Sequence, residues 1–176
     1  MLLVTSVRGE LITAWQNKLP RNAPNQFALG IDALDTSAFS QTLAAGGISL
    51  AAMYPVIRGR LTAINGQPVV TAVTKDSEDP GDESLNRELN LTVSETLPKG
   101  NNLIEGDWWN TPAIAPWPVS VESRLAERLG LGLGDKLTFT LAEGDVEAIV
   151  SSLRKVDWDS FQPNFYMVFP PAALAA

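Results

Sequence analysis

The chain reads as an α+β fold. Three observations predict it: an apolar stripe at helical spacing near the N-terminus, several short runs in which every second residue is apolar, and a helix of about two turns set between two such runs. At 176 residues the chain suits one domain or two small lobes, and 45% hydrophobic content is enough to build a core.

Residues 2–19 place Leu3, Val7, Leu11 and Trp15 four apart, with Val4, Ile12 and Leu19 beside them, so a helix is predicted that Pro20 ends. QFALGI (26–31) follows as a short apolar strand. Asp35, Thr36 and Ser37 form a helix-start cluster before AFSQTLAA, and Gly46 and Gly47 stop that helix. In YPVIRGRLTAING, Ile57, Gly59, Leu61 and Ala63 alternate with Arg58, Arg60 and Thr62, which predicts a half-buried strand closed by an Asn65-Gly66 turn.

The middle of the chain changes character. QPVVTAVT is short and β-branched, KDSEDPGDESLN is a charged loop, and in RELNLTVSE the residues Leu89, Leu91 and Val93 share one face of a strand. LPKGNN is a turn cluster, and NLIEGDWWN leads into the proline-rich TPAIAPWP. Composition shifts near residues 65 and 116, and lobe boundaries are expected there.

The last third returns to the first pattern. VSV is a strand, a short helix from about Ser123 carries Leu125, Ala126 and Leu129 on one face, and Leu137, Phe139 and Leu141 alternate along KLTFTL. A turn at Glu143-Gly144-Asp145 leads into VEAIVSSLRKV, and NFYMVF is a continuous apolar run stopped by Pro170 and Pro171, as in a strand buried on both faces.

Composition excludes much chemistry. With no His and no Cys the chain has no Ser-His-Asp triad, no Cys-His pair, no thiolate or imidazole metal site and no redox dithiol. A Ser-Lys pair, a carboxylate pair or an oxygen-only metal site remain open, but Lys18, Lys75, Lys99, Lys136 and Lys155 are scattered and no carboxylate stands in a telling context. No catalytic residue, cofactor or metal is expected. The cluster Asp76, Glu78, Asp79, Asp82 and Glu83 lacks calcium-loop spacing and reads as a solvated acidic loop. A net charge of -7 argues against a nucleic-acid partner.

Two features stand out as candidate sites. GLGLGDK (130–136) has the look of a phosphate loop, but its glycines follow a helix and precede a strand, the reverse of the order that points helix N–H groups at phosphate. Gly130 is therefore expected to cap a helix in the left-handed region, and Gly134-Asp135 to form a tight turn. Trp108 and Trp109 are adjacent in an extended segment, so one is expected inward and one outward, the outward ring being the candidate contact for a partner or substrate.

GNNLIEGDWW, then VSVESRLAERLGLGLGDKLTFTL, then VEAIVSSLRKV resemble the MacB-like periplasmic core domain of FtsX-like ABC transporter permeases. Asp107 is a departure, since many relatives have Arg in that turn. AWQNKLPRNAPNQFALGI, MYPVIRGRLTAING and SLRKVDWDSFQPNFYMVFPP resemble the YbbP-like permeases in particular, and the likeness covers nearly the whole chain. The resemblance implies a stalk helix at 1–19 leaving a transmembrane segment, a porter-like α+β lobe at 20–65 and 116–172, and an inserted β-rich, sabre-like lobe at 66–115. It implies a place on the periplasmic side of the bacterial inner membrane, joined to the membrane through flanking helices. It also implies a separate cytoplasmic ABC ATPase as partner, handling of a lipid-like or hydrophobic substrate, and a periplasmic protein partner, such as an esterase. The domain itself would not be an enzyme. Two other classes stay open: a free-standing periplasmic ligand-binding or docking protein, and a hydrolase using carboxylates or Ser-Lys.

Overall fold

The structure, a computed structural model, describes residues 26–50, 52–69, 88–109, 113–158 and 162–174. The expected stalk helix and the acidic loop with its five carboxylates lie outside the described residues. The chain divides into two units, Met1–Ala51 and Ala52–Ala176.

In the first unit, helix α1 spans Thr36–Ala45. Asp35 sits at its start but makes no side-chain cap; the turn before it is held by Asp32, whose Oδ1 accepts from the Leu34 N–H at 2.9 Å. The helix ends where Gly47 takes a φ of 69°, and the Ile48 N–H reaches back to the Leu43 carbonyl at 2.9 Å, a Schellman closure that glycine permits. No residue of α1 is buried. QFALGI is not a strand: residues 26–31 have no regular structure, and Phe27 and Leu29 are exposed. A strand needs a partner, and the described residues of this unit offer none.

The second unit is sheet-rich. Its strands are β1 (Ile57–Ile64), β2 (Gln67–Pro68), β3 (Leu89–Val93), β4 (Asn101–Gly106), β5 (Trp117–Glu122), β6 (Lys136–Leu141), β7 (Gly144–Val156) and β8 (Met167–Phe169), with helix α2 (Ser123–Leu129) between β5 and β6 and a 3-10 turn at Pro171–Leu174. Among the described residues the eight strands join one sheet, in the order β2-β1-β3-β8-β5-β7-β4, and β6 bridges β1 and β7. The pairings thus run in a closed circuit, β1–β3–β8–β5–β7–β6 and back to β1. β3 with β8 and β5 with β7 are parallel, and the other pairs antiparallel. The α+β class holds. The described part of 66–115, expected as an inserted lobe, contributes β2, β3 and β4 to this same sheet.

Alternation places the core, with local shifts. Leu61 faces Phe139 across β1 and β6, but Ala63 faces Thr138, so Thr62 is an extra residue in β1. The bulge flips the pleat, and Ile64 is buried where Ala63 was expected. Leu137, Phe139 and the strand-exit Phe169 are buried, the two phenyl rings meeting edge-on at 5.4 Å. Met167, Val168 and Phe169 are all buried, as a strand flanked on both edges and covered on both faces requires. On α2 the face Leu125, Ala126 and Leu129 packs on this core. The Glu122 carboxylate caps the helix by accepting from the Leu125 N–H at 2.9 Å.

Candidate functional site

The glycine loop after α2 is a clasp. Gly130 has φ 63° and ψ 32°, and the Leu131 N–H donates to the Ala126 carbonyl at 2.9 Å, which closes the helix as the sequence predicts. Gly134 turns with φ 87° and donates its N–H to the Val150 carbonyl of β7. The Asp135 carboxylate then takes the two donors that a bound anion would need: Oδ2 accepts from the Gly132 N–H at 2.7 Å and Oδ1 from the Asn65 side chain at 2.9 Å. A carboxylate already in the loop repels phosphate, so the loop is structural.

Trp108 and Trp109 do not point opposite ways. Their rings stack on each other, centroids 3.9 Å apart and 30° from parallel, and both are half-buried. Trp108 Nε1 donates to the Glu95 carbonyl and Trp109 Nε1 to the Ser94 carbonyl, at 2.9 and 3.0 Å. The period-two rule fails here because β4 ends at Gly106, whose φ of 75° turns the chain out of the extended region before the first indole. At that glycine any Cβ would run into the Ser151 backbone carbonyl, so the turn and the stacked pair depend on a residue without a side chain.

A buried polar centre lies beneath the sheet. Arg154 of β7 is wholly buried (0% exposed), next to Glu122 of β5 in register. Its Nη1 donates to Asn101 Oδ1 at 2.6 Å and its Nη2 to the Phe165 carbonyl, while Nε has no partner among the described residues. One guanidinium therefore holds the start of β4 and the segment entering β8. Burial pushes its pKa down to about 10, and the Glu122 charge works the other way by favouring the cation. The sequence did carry a signal for it: Ala148, Val150, Ser152, Arg154 and Val156 are the inward positions of one alternating strand.

Two clefts open on the surface of the second unit. One, about 510 Å³, is flanked by Arg58, Arg60, Thr62, Glu88 and Thr140, and an exposed Arg58–Glu88 ion pair at 3.8 Å spans part of it. The other, about 360 Å³, is lined by Glu122, Arg124, Arg128, Trp158 and Tyr166. Among the described residues no group of three or more carboxylates could hold a metal, and no helix is long and apolar enough to cross a membrane.

No family model matches the chain, and no solved structure does. The chain is similar to the ABC transporter permease YbbP of Escherichia coli (strain K12), with 43% identity over 174 residues, which is 99% of this chain and 20% of the permease. The chain thus spans about one fifth of that relative's length. By sequence it is a relative of one segment of an ABC transporter permease.

Proposed function

We propose that the chain is the extracytoplasmic domain of an ABC transporter permease of the FtsX and MacB kind. In this reading a cytoplasmic ABC ATPase hydrolyses ATP, and this domain couples the resulting movement to periplasmic handling of a lipid-like or hydrophobic substrate. A periplasmic protein partner, such as an esterase, docks on the side away from the membrane, and the stacked Trp108 and Trp109 are the candidate anchor. The observation that carries the reading is the identity over 174 residues to a segment of a permease. The lack of His and Cys agrees with a domain that transmits rather than catalyses.

The absence of cysteine also makes the side of the membrane measurable. A Glu143→Cys substitution in the exposed β6–β7 turn, placed in the full-length permease with its other cysteines removed, is expected to react with a membrane-impermeant maleimide in intact cells. Labelling only after lysis would overturn the extracytoplasmic placement.

A further inference from the structure

The cleft of about 360 Å³ beside α2 brings together two kinds of group, guanidinium and aromatic. Arg124 and Arg128 stand four apart on α2, hence one above the other on the same face. Both are exposed, and among the described residues neither side chain has a hydrogen bond or an ion pair. Two guanidinium groups side by side give an anion several N–H donors at one spot. Opposite them, the Trp158 and Tyr166 rings lie 5.0 Å apart and tilted by 48°, each 41% exposed. Glu122 contributes to the lining, but it is 2% exposed and its Oε2 is committed to the Leu125 N–H.

We propose that this cleft binds an anionic head group, a carboxylate, sulfate or phosphate, joined to an apolar body: Arg124 and Arg128 hold the head and the Trp158–Tyr166 pair receives the body. The chemistry of each side dictates the assignment. Guanidinium groups offer forked N–H donors that match the oxygens of such heads, and charge-assisted bonds to them are strong. The tilted rings present apolar faces and edges that lose water when a chain or flat ring covers them. The buried Arg154, paired in register with Glu122, offsets the charge of the carboxylate that lines the cleft. The Tyr166 backbone carbonyl accepts from the Glu122 N–H at 2.8 Å, which fixes the aromatic wall to the foot of the helix and shapes the cleft before any ligand arrives.

The test is made on this chain by calorimetric titration with decyl phosphate below its micellar concentration, with inorganic phosphate and decanol in parallel. Decyl phosphate is expected to bind, at least tenfold tighter than either single-function probe. Arg124→Gln with Arg128→Gln is expected to weaken it about tenfold or more, the loss of charge-assisted bonds, with the melting temperature unchanged because both side chains are exposed. Trp158→Ala is expected to weaken decyl phosphate and leave inorganic phosphate as it was. Vesicles containing phosphatidylglycerol distinguish the source of the head group: binding lost in the double variant identifies a lipid, and binding to the monomeric amphiphile alone identifies a free one. No binding of decyl phosphate, equal binding by the folded double variant, or inorganic phosphate binding as tightly as decyl phosphate would overturn the proposal. Because the probe acts on the isolated chain, this result and the maleimide result fail or succeed separately.

Discussion

Asn65 and Asp135, seventy residues apart, hold each other by their side chains: Asn65 Nδ2 donates to Asp135 Oδ1 at 2.9 Å, while Asn65 Oδ1 accepts from the Lys136 N–H at 2.9 Å. Asn65 has a φ of 50°, so the residue that turns β1 into β2 also reads the loop after α2. Asp135→Ala is expected to cost about 1–3 kcal/mol of stability, since it leaves the Gly132 N–H without its acceptor and breaks the clasp. Urea unfolding measures it, and a double-mutant cycle with Asn65→Ala should show coupling of about 0.5 kcal/mol or more. The same samples should show no shift in melting temperature with ATP.

Two glycines with nearly the same φ should behave differently. At Gly130 a Cβ meets nothing within 4 Å, so Gly130→Ala carries only the left-handed backbone cost of about 1–2 kcal/mol. At Gly106 the Cβ would collide with the Ser151 backbone carbonyl, so Gly106→Ala adds a forced backbone shift and should cost about 3 kcal/mol or more. Equal midpoints for the two variants in thermal unfolding would contradict this ranking.

Arg154→Met should destabilise by about 3–5 kcal/mol, because Asn101 and the Phe165 carbonyl lose their donor and the Glu122 charge loses its counterweight. The pH dependence follows from the sign of the shift. Folding lowers this pKa from the ordinary arginine value to about 10, so above about pH 10 the unfolded chain holds more protons and this group makes stability rise with pH. Below about pH 9 it is charged in both states and contributes no slope. Unfolding measured in wild type and Arg154→Met from pH 8 upward checks both statements.

Trp108→Ala is not expected to be neutral for the fold. Its indole stacks on Trp109 and bonds the Glu95 carbonyl, so truncation should cost about 1–3 kcal/mol, whereas Trp108→Phe keeps a ring and should cost about 1 kcal/mol. The milder variant is the one to carry into the full permease. Loss of transport-linked function with Trp108→Phe at a nearly unchanged melting temperature would separate contact from folding.

The reach of sequence reasoning can be seen residue by residue. Leu125, Ala126, Gly130 and the alternation of Leu137 with Phe139 were legible because helix, cap and strand are each decided within a few residues. QFALGI misled because an apolar run says nothing about whether a partner strand exists. Ile64 replaced Ala63 because a bulge depends on what lies opposite, and β6 comes about seventy residues later. The tryptophan stack escaped because a positive φ at Gly106 ended the extended geometry that the reading assumed. Arg154 was marked by its place in the alternation, but a charge at an inward position is counted as surface unless its partners, Asn101 and Phe165, are known.

β7 is hydrogen-bonded along both edges: residues 148–154 pair β5 on one side, while on the other 144–149 pair β6 and 152–156 pair β4. Residues 148–149 and 152–154 of this strand cannot detach without breaking two ladders at once. In native-state hydrogen exchange, the amides of Ala148 to Leu153 should therefore open only with global unfolding of the second unit, whereas β2, two residues long, should exchange by local fraying. The sheet then gives way as a single cooperative block, with β7 the last ladder to release its protons.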